Sequence, residues 1–263
     1  MRLTIVGPGR AGGAIALAAT RSGHDIVGVL SRTGDTSYGP SLRWDQPLPV
    51  SDLLIIAVRD DAIEEVGARI ATHAGSVPIA AHLSGFTPVT ALHDLSRAGL
   101  ATGGFHPLQT LPDPERGADS LPGAYVGIGG DPIAVETLNT LAESLGMVPF
   151  SLPDDSRPGY HAGAAAAANF VITALATAGD LMRAARVDPV VTRPLVEQAV
   201  SNLYEAGAGP SLTGPIARGD VTTVLGQLEA AGRVSQSVGE QYRLMAEATA
   251  IRAGRKDDIA KWS

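Results

Sequence analysis

Short, continuously apolar segments alternate with amphipathic segments from the N-terminus to about residue 152. The apolar segments span 3–6, 25–30, 53–58, 77–83, 100–106, 124–129 and 147–152, and helical periodicity covers 10–22, 62–72, 89–98 and 133–145. Strands that are buried on both faces read as unbroken apolar runs. The alternation therefore predicts an α/β domain with a doubly wound, mainly parallel sheet.

The pattern changes after the proline- and aspartate-containing stretch 153–158 (PDDSRP), which has the composition of a linker. Four helical stretches follow, at 159–186, 188–206, 220–231 and 233–253, without another alternating strand. We therefore predict two domains, an α/β domain over 1–153 and an all-α domain over 154–263.

An uncharged, alanine-rich stretch covers 162–179. Its length allows a membrane span, but alanine is barely apolar and Asn169, Thr173 and Thr177 interrupt it. We expect instead a helix buried inside the helical domain, where small side chains let another helix or a second subunit approach closely. A homodimer through this domain is one consequence, and no membrane partner is expected.

Charge and composition exclude several classes of protein. Twenty basic residues face 27 acidic ones, a net charge of −7, which argues against a nucleic-acid partner. Cysteine is absent, and no HxH, HExxH or carboxylate cluster has metal-ligand spacing, so no metal site is predicted. The N-terminal MRLTIVGPGR lacks the features of a signal peptide, and we expect a cytoplasmic protein.

A glycine-rich turn follows the first predicted strand and opens the first predicted helix. It reads Gly7-Pro8-Gly9-Arg10-Ala11-Gly12, the GxGxxG pattern of a Rossmann dinucleotide site. In that pattern the glycines permit a tight turn, close approach of the backbone to a pyrophosphate and close packing of helix on strand. Val58, the last residue of the third predicted strand, and Arg59, which follows it, are also assigned to the cofactor site.

The end of the second predicted strand indicates which nucleotide binds. An NAD site would place an acidic residue there for the ribose 2′-hydroxyl, but positions 26–34 contain none. Ser31, Arg32 and Thr33 instead offer a guanidinium flanked by two hydroxyls, which suits a 2′-phosphate. The predicted cofactor is NADP(H).

These motifs and four further strings resemble those of the 6-phosphogluconate dehydrogenase-like superfamily. The strings are HLSGF (82–86), GGFHPLQT (103–110), YHAGAAAAANF (160–170) and TGPIARGD (213–220). Together they look like the Rossmann-like proteins that carry a C-terminal helical domain of unknown function, some of which are regarded as alternative ketopantoate reductases. The resemblance implies NADP(H)-dependent reduction of a small substrate in a cleft between the two domains.

The chain departs from that resemblance at one catalytic position. Many relatives carry a lysine four residues before a helix asparagine, and both face the substrate. Here Asn169 is present but Ala165 occupies the lysine position. Another group must therefore supply the proton if the family's chemistry is to apply.

Histidines at strand ends are candidates for that group, because an unperturbed imidazole titrates near pH ~6.5. His82 and His106 end two neighbouring predicted strands, and ligands bind at the carboxyl ends of parallel strands. Ser84 and Asn169 are predicted to orient the reacting group. His161 is a more distant candidate, because eight helical residues separate it from Asn169 by ~12 Å along the axis.

The leading hypothesis is an NADPH-dependent reductase of a small 2-oxo acid, with ketopantoate as the first candidate by resemblance. Two alternatives remain open. One is an imine reductase of the pyrroline-5-carboxylate type, because a protonated imine brings its own proton. The other is a non-catalytic NADP(H)-binding sensor.

Overall fold

The computed structural model describes residues 1–32, 34, 37–75 and 77–262. These form two compact units, Met1–Ala165 and Ala166–Ser263. The division falls after Ala165, whereas the sequence predicted it after Pro153. The difference arises because Arg157, beyond the predicted linker, donates a hydrogen bond to the backbone oxygen of Ser84 and so ties its helix to the first unit.

The first unit contains an eight-stranded sheet in the order β3-β2-β1-β4-β5-β6-β7-β8. Neighbouring strands are parallel except β6 and β7, which are antiparallel. The predicted mainly parallel sheet is confirmed, and the two-residue β3 was not predicted. The strands are β1 (Arg2–Val6), β2 (Asp25–Leu30), β3 (Ser41–Leu42), β4 (Leu53–Ile56), β5 (Ile79–His82), β6 (Ala101–Pro107), β7 (Tyr125–Gly130) and β8 (Val148–Ser151).

Helices cover both faces of this sheet. Strand β4 shows why, because Leu53 and Ile55 belong to one buried apolar cluster and Leu54 and Ile56 to another. Successive residues of a strand point to opposite faces, so each face needs its own cover. The helices of this unit are α1 (Arg10–Arg21), α2 (Ile63–Ala71), α3 (His93–Arg97), α4 (Pro114–Ser120), α5 (Pro132–Ser144) and α6 (Arg157–Ala165).

Among its described residues, the regular elements of the second unit are all helices. A π-helical turn, Ala166–Phe170, precedes α7, and the unit's apolar core contains Val224, Leu228, Ala246, Ala250 and Trp262. Its helices are α7 (Val171–Ala184), α8 (Arg193–Ala206), α9 (Ala208–Ser211), α10 (Pro215–Arg218), α11 (Val221–Val234) and α12 (Gln236–Arg252).

The alanine-rich helix is exposed, so the expectation that it is buried inside the helical domain is wrong for the single chain. Within α7, only Thr177 and Gly179 are buried. The helical run Asp154–Ala184 is long and apolar enough to cross a membrane by length and composition, with a mean hydropathy of 1.4 in its most apolar window. Bulky apolar side chains are also exposed in this unit, among them Phe170, Ile172, Leu195 and Tyr204.

Candidate active site

The glycine-rich turn between β1 and α1 is closely packed against the neighbouring strands. Gly7 has φ +85° and its amide donates to the carbonyl of Leu30 over 2.9 Å. A side chain at Gly7 would place a Cβ 2.6 Å from the carbonyl oxygen of Ala57, and one at Gly12 would overlap the Gly7 carbonyl. Both positions therefore require glycine, as the dinucleotide pattern predicts.

Gly9 differs from its neighbours because its α-carbon faces open space. It is the N-cap of α1, makes no side-chain cap hydrogen bond, and a Cβ there would have nothing within 4 Å. Pro8 and Ala11 are half-buried and Arg10 is exposed, and the first turn of α1 holds no acidic residue. The helix N-terminus thus presents free amides and its positive dipole end, which suits a pyrophosphate.

The remaining predicted cofactor residues follow β2 and β4, the two strands that flank β1. Ser31 is buried and Arg32 is exposed directly after β2, while Thr33 lies outside the described residues. Val58 follows β4, and its Cγ1 would be 3.0 Å from a Cβ at Gly7. Arg59 is exposed and pairs with Asp61 over 3.0 Å.

A second cluster of polar side chains gathers at the carboxyl ends of β5 and β6. His82 pairs in register with Gly104, which places His106 two residues further along the adjacent strand. The ring of His106 packs against Gly85, where a Cβ would lie 2.7 Å from its Cε1. The loop glycine therefore creates the space for the imidazole.

Helix α6 adds two aromatic rings to this cluster. The hydroxyl of Tyr160 lies 2.7 Å from Nδ1 of His106, and the ring of His161 is 6.1 Å from that of His106. Phe86 meets the edge of His161 at 6.0 Å. The structure thus brings His82, Ser84, His106 and His161 together, and it adds Tyr160, which the sequence analysis did not identify.

A fully buried arginine also belongs to the cluster. Arg157 donates from Nη1 to the carbonyl of Ser84 over 2.9 Å and from Nε to Asp154 over 2.8 Å. Asp154 in turn accepts from the amide of Val89 at 2.9 Å. The guanidinium lies against Gly104, where any side chain would overlap it. A buried charge is strongly destabilising unless an opposite charge and further hydrogen bonds offset its loss of hydration, as Asp154 and the Ser84 carbonyl do for Arg157.

Burial and the Arg157 charge determine the protonation states at neutral pH. Burial, followed by the Arg157 charge, lowers the pKa of His82 to about 4. Burial, followed by the charges of His161 and Arg157, lowers the pKa of His106 to about 4 as well. Burial raises the pKa of Tyr160 to about 12. The lowered pKa values keep His82 and His106 uncharged at neutral pH, and Tyr160 keeps its phenolic proton there.

Ser84 and His82 shape the wall of this cluster. The Ser84 hydroxyl accepts from the amides of Phe86 and Thr87 at 3.1 and 2.8 Å, which fixes the turn after β5. The Ser84 amide donates to Nδ1 of His82 over 3.2 Å. Because His82 is fully buried, its contacts are structural, whereas His106 is partly exposed.

Asn169 lies in the π-helical turn of the second unit and is exposed. Its backbone oxygen accepts from the hydroxyl of Thr173 over 2.9 Å. Its role in binding the reacting group stays a prediction.

Comparisons with known proteins agree on the fold. The family described as a domain of unknown function, DUF2520, matches residues 124–249. No curated protein sequence matches the chain. A candidate NADP oxidoreductase from Bacteroides fragilis has a similar structure, with a TM-score of 0.81 at 20% identity over 95% of this chain and 98% of its own.

Two enzymes solved with nucleotide also have this fold. An imine reductase from Myxococcus stipitatus in complex with NADP+ has a TM-score of 0.69 at 16% identity, and 99% of each chain is covered. A reductive aminase from Aspergillus terreus in complex with NADPH and ethyl levulinate has a TM-score of 0.65 at 20% identity, covering 100% of this chain and 99% of its own. At these identities the comparisons show a Rossmann-type α/β unit followed by a helical unit.

Proposed function

We propose that the protein is an NADP(H)-dependent reductase. The close-packed Gly7 and Gly12, the open Gly9 at the start of α1, and Arg32 after β2 form the cradle that a dinucleotide with a 2′-phosphate requires. Similar folds that are solved with NADP+ and NADPH support the same cofactor. When bound, the reduced nicotinamide supplies a hydride.

The reaction we propose is reduction of the carbonyl of a small 2-oxo acid to a hydroxyl. The observation that carries it is the hydrogen bond of 2.7 Å between Tyr160 and His106. Tyr160 gives its proton to the carbonyl oxygen as the carbon accepts the hydride, and the Nδ1–H tautomer of His106 donates to the phenolate that remains. The nearby Arg157 charge favours that phenolate, because it lowers the pKa of Tyr160 against the effect of burial.

The charges around the cluster favour a neutral or anionic substrate. The positive charge of Arg157 lowers the pKa of both His82 and His106, and at His82 its effect is larger than the opposing effect of the Asp154 charge. A carboxylate on the substrate would gain from this field, whereas a cationic iminium would be repelled. Ketopantoate is the first substrate to test, by the resemblance of the motifs. Ser84 and Asn169 remain the residues proposed to orient it.

Imine reduction is the second candidate, and it is favoured by the similar folds of an imine reductase and a reductive aminase. Ala165 stands where many relatives have a catalytic lysine. An iminium ion needs no proton from the protein, so the absence of that lysine would matter less.

NADPH oxidation by the purified protein distinguishes these functions. We expect saturable turnover with ketopantoate and a large loss in Y160F. Turnover with a cyclic imine alone, unaffected in Y160F, would establish the imine reaction instead. NADPH binding without turnover of either substrate would indicate a non-catalytic NADP(H) sensor.

We also propose that the exposed helices of the second unit form a homodimer. Phe170, Ile172, Leu195 and Tyr204 are 68%, 60%, 70% and 84% exposed in the single chain. Several bulky apolar side chains exposed on the helices of one unit favour an interface with another molecule. Sedimentation of wild type and L195R tests it, since an arginine there should give a monomer, whereas binding to lipid vesicles would indicate a membrane contact.

A further inference from the structure

A cleft of about 400 Å³ opens beside the end of β2, and its wall contains more arginines than the cofactor fingerprint requires. Arg32 follows β2, Arg43 follows β3, and Arg69 comes from α2. All three side chains are exposed. Three separate segments of the first unit therefore place a guanidinium at one cleft.

Trp44 organises one side of the cleft. Its Nε1 donates to the backbone oxygen of Ser31 over 3.1 Å, which fixes the indole against the end of β2. The guanidinium carbon of Arg69 lies 4.5 Å from the centre of the Trp44 ring. A cation held over an indole in this way is pre-positioned, so binding an anion costs less side-chain entropy.

Arg43 and Asp45 occupy the other side. Nε and Nη2 of Arg43 donate to the two carboxylate oxygens of Asp45 at 3.1 and 3.3 Å. Among the described residues that line the cleft, three arginines face this one aspartate. The excess of positive charge matches a phosphomonoester, which carries about −1.5 to −2 at pH 7.

The position of the cleft indicates which part of the nucleotide would reach it. The Gly7 amide donates a hydrogen bond to the carbonyl of Leu30, the last residue of β2, so the cleft adjoins the glycine-rich turn. In a Rossmann fold the residues after β2 contact the ribose of the adenosine half.

We propose that Arg43 and Arg69 bind the ribose 2′-phosphate together with Arg32, and that Asp45 limits the affinity by pairing with Arg43. The proposal rests on the proposed NADP(H) function and adds two selectivity residues to it. Because the phosphate is absent from NADH, both arginines should act on NADPH alone.

Binding measurements with NADPH, NADH, 2′,5′-ADP and 5′-AMP test this assignment. We expect R43A and R69A each to weaken the binding of NADPH and of 2′,5′-ADP by about tenfold. The affinities for NADH and 5′-AMP should not change. D45N should have the opposite effect and lower the Kd for NADPH about threefold, because it frees Arg43 and removes a negative charge. A gain of affinity cannot result from misfolding.

Two controls complete the design. R97A removes an exposed arginine of α3 that pairs with Asp94 and does not line the cleft, and it should leave all four affinities unchanged. Trp44 is one of two tryptophans, so binding of 2′,5′-ADP should change the tryptophan fluorescence of wild type. The W44F variant should not show this change.

The outcomes separate this inference from the proposed function. If wild type prefers NADPH but neither R43A nor R69A changes the ratio of NADPH to NADH affinity, the assignment of Arg43 and Arg69 to the 2′-phosphate is wrong. The reductase proposal would still stand. If wild type binds neither dinucleotide, the proposed function fails and the assignment fails with it.

Discussion

The hydroxyl of Tyr160 lies 2.7 Å from Nδ1 of His106, and the two rings meet edge to face with their planes 89° apart. The two residues come from α6 and β6 and are 54 positions apart in the chain. Burial moves the pKa of Tyr160 up to about 12 and that of His106 down to about 4, so the proton stays on the phenol at neutral pH. The pair is a neutral proton donor held by a neutral imidazole.

Replacing Tyr160 by phenylalanine tests that donor. Y160F keeps the ring beside Phe150 and His106 and removes only the hydroxyl. General acid catalysis contributes about 100- to 10,000-fold, so kcat for carbonyl reduction should fall by about 100-fold or more. The Kd for NADPH, measured by fluorescence titration, should not change.

Y125F is the matched control, because Tyr125 on β7 is 56% exposed. It should turn over like wild type. A Y160F enzyme with wild-type kcat for ketopantoate would remove Tyr160 from the reaction.

Replacing Gly104 by alanine tests how tightly Arg157 is packed. A Cβ there would overlap the guanidinium, and overpacking a core usually costs about 1–3 kcal/mol of unfolding free energy. Urea unfolding should show a decrease of about 1–3 kcal/mol or more in the free energy of unfolding. Gly159→Ala is the control, since Gly159 lies in α6 with nothing within 4 Å of its Cβ position. That variant should be neutral or up to about 1 kcal/mol more stable, and equal losses in both would contradict the packing argument.

The order of the main strands and helices was predictable from sequence, because apolar runs and helical periodicity report burial directly. The seven predicted strands all form, β2 with the predicted limits. The two-residue β3 carries too little pattern to be read. Helix α4 was missed because its Pro114 and Asp113 suggest a loop, although Asp113 caps the helix by accepting from the amide of Arg116.

The polar cluster was only partly predictable. His82 and His106 were found because strand ends define one edge of a parallel sheet. Arg157 was missed because its surroundings, PDDSRP, look like a linker, and only the three-dimensional packing against Gly104 shows that it is buried. The protonation states followed from that burial, which no spacing in the sequence reports. The exposure of the alanine-rich helix was not predicted, because small apolar side chains suggest burial within the chain as readily as contact with a second subunit.

The lowered pKa values of His82 and His106 predict acid destabilisation. Both have folded-state pKa values of about 4, below the ordinary value of 6.5, so the unfolded chain binds more protons between these pH values. The free energy of unfolding should therefore decrease as the pH falls from 6.5 towards 4, by up to about 1.4 kcal/mol per pH unit for each histidine.

H106Q, which cannot titrate, isolates one of these contributions. Urea unfolding of H106Q and wild type at pH 7, 6 and 5 should show a shallower pH dependence in the variant. H93Q is the control, because His93 on α3 lies outside the polar cluster and its side chain is 41% exposed. Parallel curves for H106Q and wild type would show that His106 does not stay neutral in the folded protein.

Gly9 allows nucleotide binding to be separated from folding. A serine at this position meets no atom within 4 Å, and serine is a good N-cap for α1, so the melting temperature should be unchanged or higher. Its side chain would occupy the space through which the backbone approaches the pyrophosphate, and NADPH should bind about tenfold or more weakly. Gly12→Ala should instead lower the melting temperature, because its Cβ would overlap the Gly7 carbonyl. Thermal melting with and without NADPH measures both effects, and a Gly9→Ser protein stabilised by NADPH as strongly as wild type would show that the nucleotide binds elsewhere.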